Sequence, residues 1–172
     1  DGKMSEPAAR LDKASSGSLK RLLDSGDITA KLGSSSLLFG LNGIQAERIL
    51  VVGLGAQDKF DAAAFNKAAL EAGRALKTLP VASATSWLTA LEVPARDGAW
   101  KLRTAALAAD MHAYRYTATF KPKEQARTAQ LEALAFAGTE DARALAEANA
   151  MAKGVRFARE LGNLPPNICN PA

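Results

Sequence analysis

One histidine, His112, and one cysteine, Cys169, limit the chemistry that this 172-residue chain can carry. A zinc cage of Cys and His ligands usually takes about four such residues, so the chain cannot assemble one alone. No Cys, Asp or Glu stands three or four positions from His112. On a helix its ring would therefore lack a neighbour to share a metal or fix its tautomer, and it reads as a surface or edge histidine. Hydrolysis needs an activated nucleophile, or a metal-bound water, with a base in reach. The sequence has no G-x-S-x-G elbow, no H-E-x-x-H pair, no cysteine beside a histidine and no carboxylate cluster at metal-binding spacing. Asp58 and Asp61 stand three apart at a helix entrance, a spacing that capping explains. The residue types thus predict no catalytic, cofactor-binding or metal-ligating residue.

Two stretches have residues suited to binding. Gly53-Leu-Gly55-Ala-Gln-Asp58 joins an apolar run to a helical one. Glycines there let a ligand approach the backbone, and a helix N-terminus favours anions. The third glycine of the dinucleotide fingerprint is missing, though, and Asp58 would repel a phosphate; the alternative is a tight turn. Thr119-Phe-Lys121-Pro-Lys123-Glu-Gln-Ala-Arg127 is a basic connector, readable as a solvated loop or as a contact to nucleic acid. The overall excess of 22 basic over 18 acidic residues, net +4, is compatible with either. A lone cysteine cannot form an internal disulfide, which fits a reducing cytosol. No apolar run approaches the ~20 residues needed to cross a bilayer.

The elements that would carry these residues alternate between helical and strand patterns. Glu6 to Ala14 reads as a helix with Pro7 in its first turn. A second, short helix carries Leu19, Leu22 and Leu23 and stops near Gly26. Ser34 to Leu41 and Arg48 to Leu54 flank Asn42-Gly43, which predicts an antiparallel pair. Ile49-Leu-Val-Val is apolar without alternation, so both faces should be covered by helices. Asp61 to Leu79 is amphipathic, with Phe65, Ala68, Ala69, Ala72, Leu76 and Leu79 at helical spacing. A strand broken near Trp87 follows between 81 and 91. A helix from Asp97 to about Tyr116 carries Trp100, Thr104, Leu107, Met111 and Tyr114 as an expected core stripe, and Leu131 to Ala137 reads as a further strand. The last helix is expected from Thr139 to Leu161, with Leu145, Ala148, Ala152 and Val155 along one side and Gly162 as its stop. The pattern predicts an α/β protein of three layers, α/β/α, around a mixed central sheet.

The chain ends in Arg159-Glu-Leu-Gly-Asn163-Leu-Pro-Pro-Asn167-Ile-Cys-Asn-Pro-Ala172, where two X-Pro bonds force extended backbone. This segment resembles the R-D-L-x-N-x-P-P-N stretch of the leucyl aminopeptidase (cytosol aminopeptidase) family. Leu11-Asp-Lys13, Leu37-Leu38 and Glu47-Arg48-Ile-Leu-Val-Val-Gly53-Leu-Gly55 recur in the order of the bacterial members' N-terminal domain. The resemblance therefore spans nearly the whole chain.

The resemblance implies a macro-domain-like, non-catalytic domain over 1–138, a helix leading out over 139–161, and a linker over 162–172 to a C-terminal catalytic domain. The strand expected ahead of Glu6 is absent, which would leave a sheet edge exposed. Relatives are cytosolic homohexamers that remove N-terminal residues, notably leucine, from peptides with two divalent ions, zinc or manganese. Those ions belong to the C-terminal domain, whose motifs have no counterpart here. The implied role is assembly or active-site access. The alternative is a DNA-binding, regulatory module, and a macro-like fold also raises the binding of a nucleotide derivative by analogy.

Overall fold

The computed structural model describes residues 3–116, 119, 131–165, 167 and 168. Most of the basic connector, and Pro166, Cys169 and Asn170 of the terminal motif, lie outside the described residues. The described elements form a mixed α/β protein with five α-helices and four strands. Helix α1 (Glu6–Ala14) holds Pro7 in its first turn, where a missing amide breaks no intrahelical bond. Helix α2 (Ser18–Asp24) follows and buries Leu19.

Strands β1 (Ser35–Phe39) and β2 (Arg48–Val52) pair antiparallel, with Leu37 opposite Leu50. The expected hairpin is therefore present. Its ends are joined through residues 40–47, and Gly43 takes the left-handed φ of +80° that the turn needs. Helix α3 (Ala62–Leu76) opens on Asp61, whose Oδ1 accepts from the Ala64 amide at 2.8 Å. Phe65, Ala68 and Ala69 are buried along α3, as their spacing predicts.

Strand β3 (Ser83–Ser86) breaks at Trp87 into a short 3-10 turn, Leu88–Ala90. It pairs in parallel with β4 (Ala133–Phe136), reached after helix α4 (Gly98–Ala113). Among the described residues the strands make two separate two-stranded sheets, β1-β2 and β3-β4, where one mixed central sheet was expected. A largely apolar slot lined by both β2 and β3 lies between them.

Helix α5 (Ala142–Asn163) departs from expectation at both ends. It opens at Asp141, whose carboxylate accepts from the Ala144 amide at 2.8 Å, and not at Thr139. It runs through Gly162 and stops at Leu164, which is extended at φ −67° and ψ 136°. The stop comes from Pro165, which bars helical backbone at the residue before it.

The helix stripes are also shifted from the expected positions. On α4 the buried residues are Lys101, Leu102, Ala105 and Ala108, whereas Met111 of the expected stripe is 51% exposed. On α5 the buried line is Ala144, Ala148 and Ala152, while Leu145 and Val155 are exposed. Both shifts share one reason: α4 packs against α3 and α5 together, and close axes require small residues at the contacts. Gly73 of α3 shows the same requirement, since a Cβ there would lie 2.8 Å from the Ala108 carbonyl oxygen. Polar ties reinforce the α4–α5 contact. Arg103 reaches Glu147 at 3.0 Å, Glu147 also pairs with Arg143 at 3.0 Å, and Arg156 pairs with Asp110.

Candidate functional site

The residues of the terminal motif converge on the end of α4. Asp110 to Ala113 close that helix, and Tyr114, in extended backbone, caps it. The Tyr114 hydroxyl donates to Glu160 Oε2 at 2.8 Å and accepts from Asn163 Nδ2 at 3.1 Å. The Arg159 guanidinium lies 4.2 Å above the Tyr114 ring and donates to the Met111 carbonyl at 3.0 Å. Arg159, Glu160 and Asn163 thus grip one tyrosine from consecutive turns of α5. Desolvation, and then the Glu160 carboxylate, hold the Tyr114 hydroxyl above its ordinary pKa against the opposing pull of Asn163 and Arg159. A phenol kept protonated remains the donor this contact requires. Its chemistry is positioning: it sets where the backbone leaves α5. Tyr114 was read from the sequence as a core residue, and no sequence signal joined it to Arg159.

The glycine-rich turn is committed to the fold. Gly53 donates to the Ser34 carbonyl at 2.9 Å and accepts from the Gly33 amide at 3.1 Å. A side chain at Gly53 would collide with the Lys31 carbonyl. Gly55, at φ +80°, donates to the Ala30 carbonyl at 2.8 Å. These bonds support the tight turn. Asp58 is exposed in a 3-10 turn, Gln57–Lys59, and Asp61 is spent on its cap. His112 is half-buried on the last turn of α4, where its field falls on Glu71.

Glu71 is the most perturbed acid among the described residues. Arg74 binds it through two bonds, at 2.6 and 2.7 Å, and the Ser35 hydroxyl donates to it at 2.5 Å. The Arg74 bonds chiefly, opposed by burial and aided by Ser35, lower its pKa to about 2. The cluster ties α3 to β1.

A cleft of about 1230 Å³ opens beyond the carboxyl ends of β2 and β3. Leu54, Gly55, Phe60, Arg96 and Trp100 are among its walls, and the Arg96 guanidinium sits 4.9 Å above the Trp100 ring. Among the described residues no three His, Cys, Asp or Glu side chains group as a metal site. The described residues offer no ligand set for a pair of divalent ions.

The family model for the N-terminal domain of the cytosol aminopeptidase family matches residues 1–124. The chain belongs to the cytosol aminopeptidase family. Within it, the probable cytosol aminopeptidase of Xanthomonas campestris pv. campestris is 52% identical over all 172 residues. The corresponding proteins of Xanthomonas oryzae pv. oryzae and Xylella fastidiosa are 53% and 48% identical, also across the full chain. This chain spans about a third of those relatives, 34 to 35% of their length.

Among solved structures, the bottromycin maturation enzyme BotP in complex with Mn superimposes at a TM-score of 0.67 and 28% identity. That match covers 88% of this chain and 30% of BotP. A tomato leucine aminopeptidase variant superimposes at 0.71 over 97% of this chain and 33% of its own, and at 22% identity the likeness is one of fold. In both comparisons the match takes in about a third of the solved chain.

Proposed function

We propose that this chain is the non-catalytic N-terminal domain of a cytoplasmic, metal-dependent leucyl aminopeptidase that removes N-terminal residues from peptides. The observation that carries the reading is the family match to an N-terminal domain, in a chain spanning a third of its relatives. In this reading residues 1–138 form a macro-like, three-layer body, 139–161 lead out of it, and 162–172 link it to the catalytic domain. That domain supplies the two divalent ions, manganese or zinc, and the peptide site.

The accessory role follows from the exit. Tyr114 fixes the last turns of α5, and Pro165 straightens the backbone behind them. The direction in which the catalytic domain leaves is therefore set by this body, and with it the assembly of a homohexamer or access to the active site. Phe157 and Leu161, four residues apart on α5, are 65% and 42% exposed and give the catalytic domain an apolar surface to rest on.

A leucyl-peptide hydrolysis assay with added manganese tests the division of labour. The full-length protein is expected to turn over substrate and the chain Asp1–Ala172 to show none. Metal-dependent turnover by the short chain would overturn it.

A further inference from the structure

One wall of the cleft of about 1230 Å³ is the segment 91–97, and it is held by arrangements that are unfavourable in themselves. Lys101, only 9% exposed, donates its ammonium to the Leu91 carbonyl at 2.8 Å. Withdrawing a charge from water for a backbone contact is costly. The chain then turns, and the Arg96 amide donates to the Val93 carbonyl at 3.1 Å with Pro94 and Ala95 between them. Ala95 has a φ of +57°, left-handed backbone that side chains disfavour and that such a turn ordinarily gives to glycine or asparagine. Asp97 closes the segment by accepting from the Trp100 amide at 2.7 Å. Strain and a buried charge maintained along one wall of an open cleft are the marks of a surface shaped in advance for a ligand.

The charges of the cleft define what it can take. Lys3, Glu6, Glu92, Arg96, Asp97 and Arg103 line it. Three of these are engaged within the fold: Glu6 with Arg10, Asp97 with its helix cap, and Arg103 with Glu147. Lys3, Glu92 and Arg96 are exposed and form no ion pair among the described residues. Two cations and one carboxylate therefore remain for a ligand. A diphosphate would outweigh the cations and meet Glu92, so this set selects against polyanions. A zwitterion answers all three charges, and the guanidinium of Arg96 suits a carboxylate in particular. The floor between them is apolar and rigid. Trp100 rests on buried Phe65 with ring centroids 5.5 Å apart, and Leu54, Phe60 and Pro94 extend the apolar surface beside it.

We propose that this cleft binds a short apolar peptide with both termini free, its carboxylate on Arg96, its ammonium on Glu92 and its side chains on Trp100, Phe60 and Leu54. Lys3 adds to the positive field around the carboxylate. Val93 and Arg96 end a turn, so their Cα atoms lie within about 7 Å, and Glu92 is one residue further on. Two or three extended residues span roughly 7–10 Å, which reaches from one charge to the other. The volume agrees, because pockets for ligands larger than a single amino acid run to about 300–1,000 Å³. The Arg96 guanidinium is already fixed over the Trp100 ring at 4.9 Å, so binding a carboxylate orders little that was free. The inference concerns binding by this domain's own residues and does not rest on the peptidase reading.

Calorimetry on the full-length protein tests the site with leucyl-N-methylleucine, a dipeptide with free termini whose methylated peptide bond resists hydrolysis. It is expected to bind, and its N-acetyl and C-terminal amide derivatives should each bind about tenfold more weakly, for the loss of one charged contact. Arg96→Gln should weaken the free dipeptide about tenfold and erase its advantage over the amide, while keeping its advantage over the acetylated form. Glu92→Gln should do the reverse. Both side chains are exposed, and a general loss of structure would weaken all three probes alike, which would count against the assignment. No binding of the free dipeptide, equal binding of the three probes, or affinities untouched by both substitutions would overturn the proposal. So would inorganic pyrophosphate binding more tightly than the dipeptide and losing that affinity in Arg96→Gln, since the cleft would then be a simple anion site. Turnover of Leu-Leu with manganese, assayed on the same samples, bears on the peptidase reading alone.

Discussion

The Tyr114 hydroxyl donates to Glu160 Oε2 across 2.8 Å, joining the residue that ends α4 to the last full turn of α5. The two stand 46 positions apart, so the bond fixes the end of α5 against the end of α4. Replacing Tyr114 with Phe keeps the ring under Arg159 and removes both hydroxyl bonds. Amide exchange at Glu160 to Asn163 should accelerate, and Tyr114→Ala, which also removes the ring, should do more. Equal exchange in all three proteins would mean that the contact holds nothing.

The same hydroxyl has a titration consequence. Its pKa is raised from the ordinary value of 10.0, first by desolvation. A group whose folded pKa is raised contributes stability that is fully present below about pH 10 and disappears as pH climbs through the folded value. Subtracting the near-ultraviolet titration of Tyr114→Phe from that of the wild type should isolate a phenol that ionises above 10. A normal or lowered midpoint would contradict the geometry.

Glu71 acts at the other end of the pH scale. With its folded pKa lowered to about 2 from 4.5, its contribution is present above pH 4.5 and is lost as pH falls toward 2. Ser35→Ala removes one donor and should move the Glu71 midpoint upward, seen in the carboxyl chemical shift. Glu71→Gln should flatten that part of the acid-unfolding profile. An unchanged profile would show that the carboxylate is no better held folded than unfolded.

Two helix glycines should respond with opposite signs. At Gly73 a methyl group meets the Ala108 carbonyl oxygen at 2.8 Å, so Gly73→Ala should force α3 from α4 and cost about 1–3 kcal/mol. At Gly154 nothing lies within 4 Å, so Gly154→Ala should stabilise by about 0.4–1 kcal/mol, by restricting the unfolded chain. Urea midpoints of the two variants test the pair, and the same sign for both would show that the helix packing is misjudged.

How far the sequence can be read follows from the range of the forces involved. The β1-β2 pairing was legible because Asn42-Gly43 and the flanking apolar runs are local signals. The Asp61 and Asp97 caps were legible because a carboxylate three residues ahead of an amide is a local geometry too. The buried faces of α4 and α5 were not, because hydrophobicity favours Met111, Leu145 and Val155, whereas the space between packed helices admits Ala105, Ala108, Ala148 and Ala152. Gly162 suggested a helix stop that Pro165 imposes two residues later. Tyr114 could not be matched to Glu160 at all, since nothing in a sequence reports a contact between the ends of two helices. The terminal motif was visible as a pattern, but the part of it that grips the body became visible only in three dimensions.

The outer side of α5 bears on the proposed contact with a catalytic domain. Phe157 and Leu161 are 65% and 42% exposed, and at 100° per residue they lie away from the Ala148 and Ala152 line that meets α4. Fully covering a large apolar side chain stabilises by about 1.5–3 kcal/mol. If the catalytic domain rests here, replacing both with Ser should lower the stability of the full-length protein by about 3–6 kcal/mol and reduce its peptidase activity. In the chain Asp1–Ala172 the same side chains face water, so each replacement should stay within about 0.5 kcal/mol of neutral. Denaturant unfolding of both lengths, with and without the double substitution, measures the difference. A loss that is equal in the two lengths would mean that this face of α5 meets no partner domain.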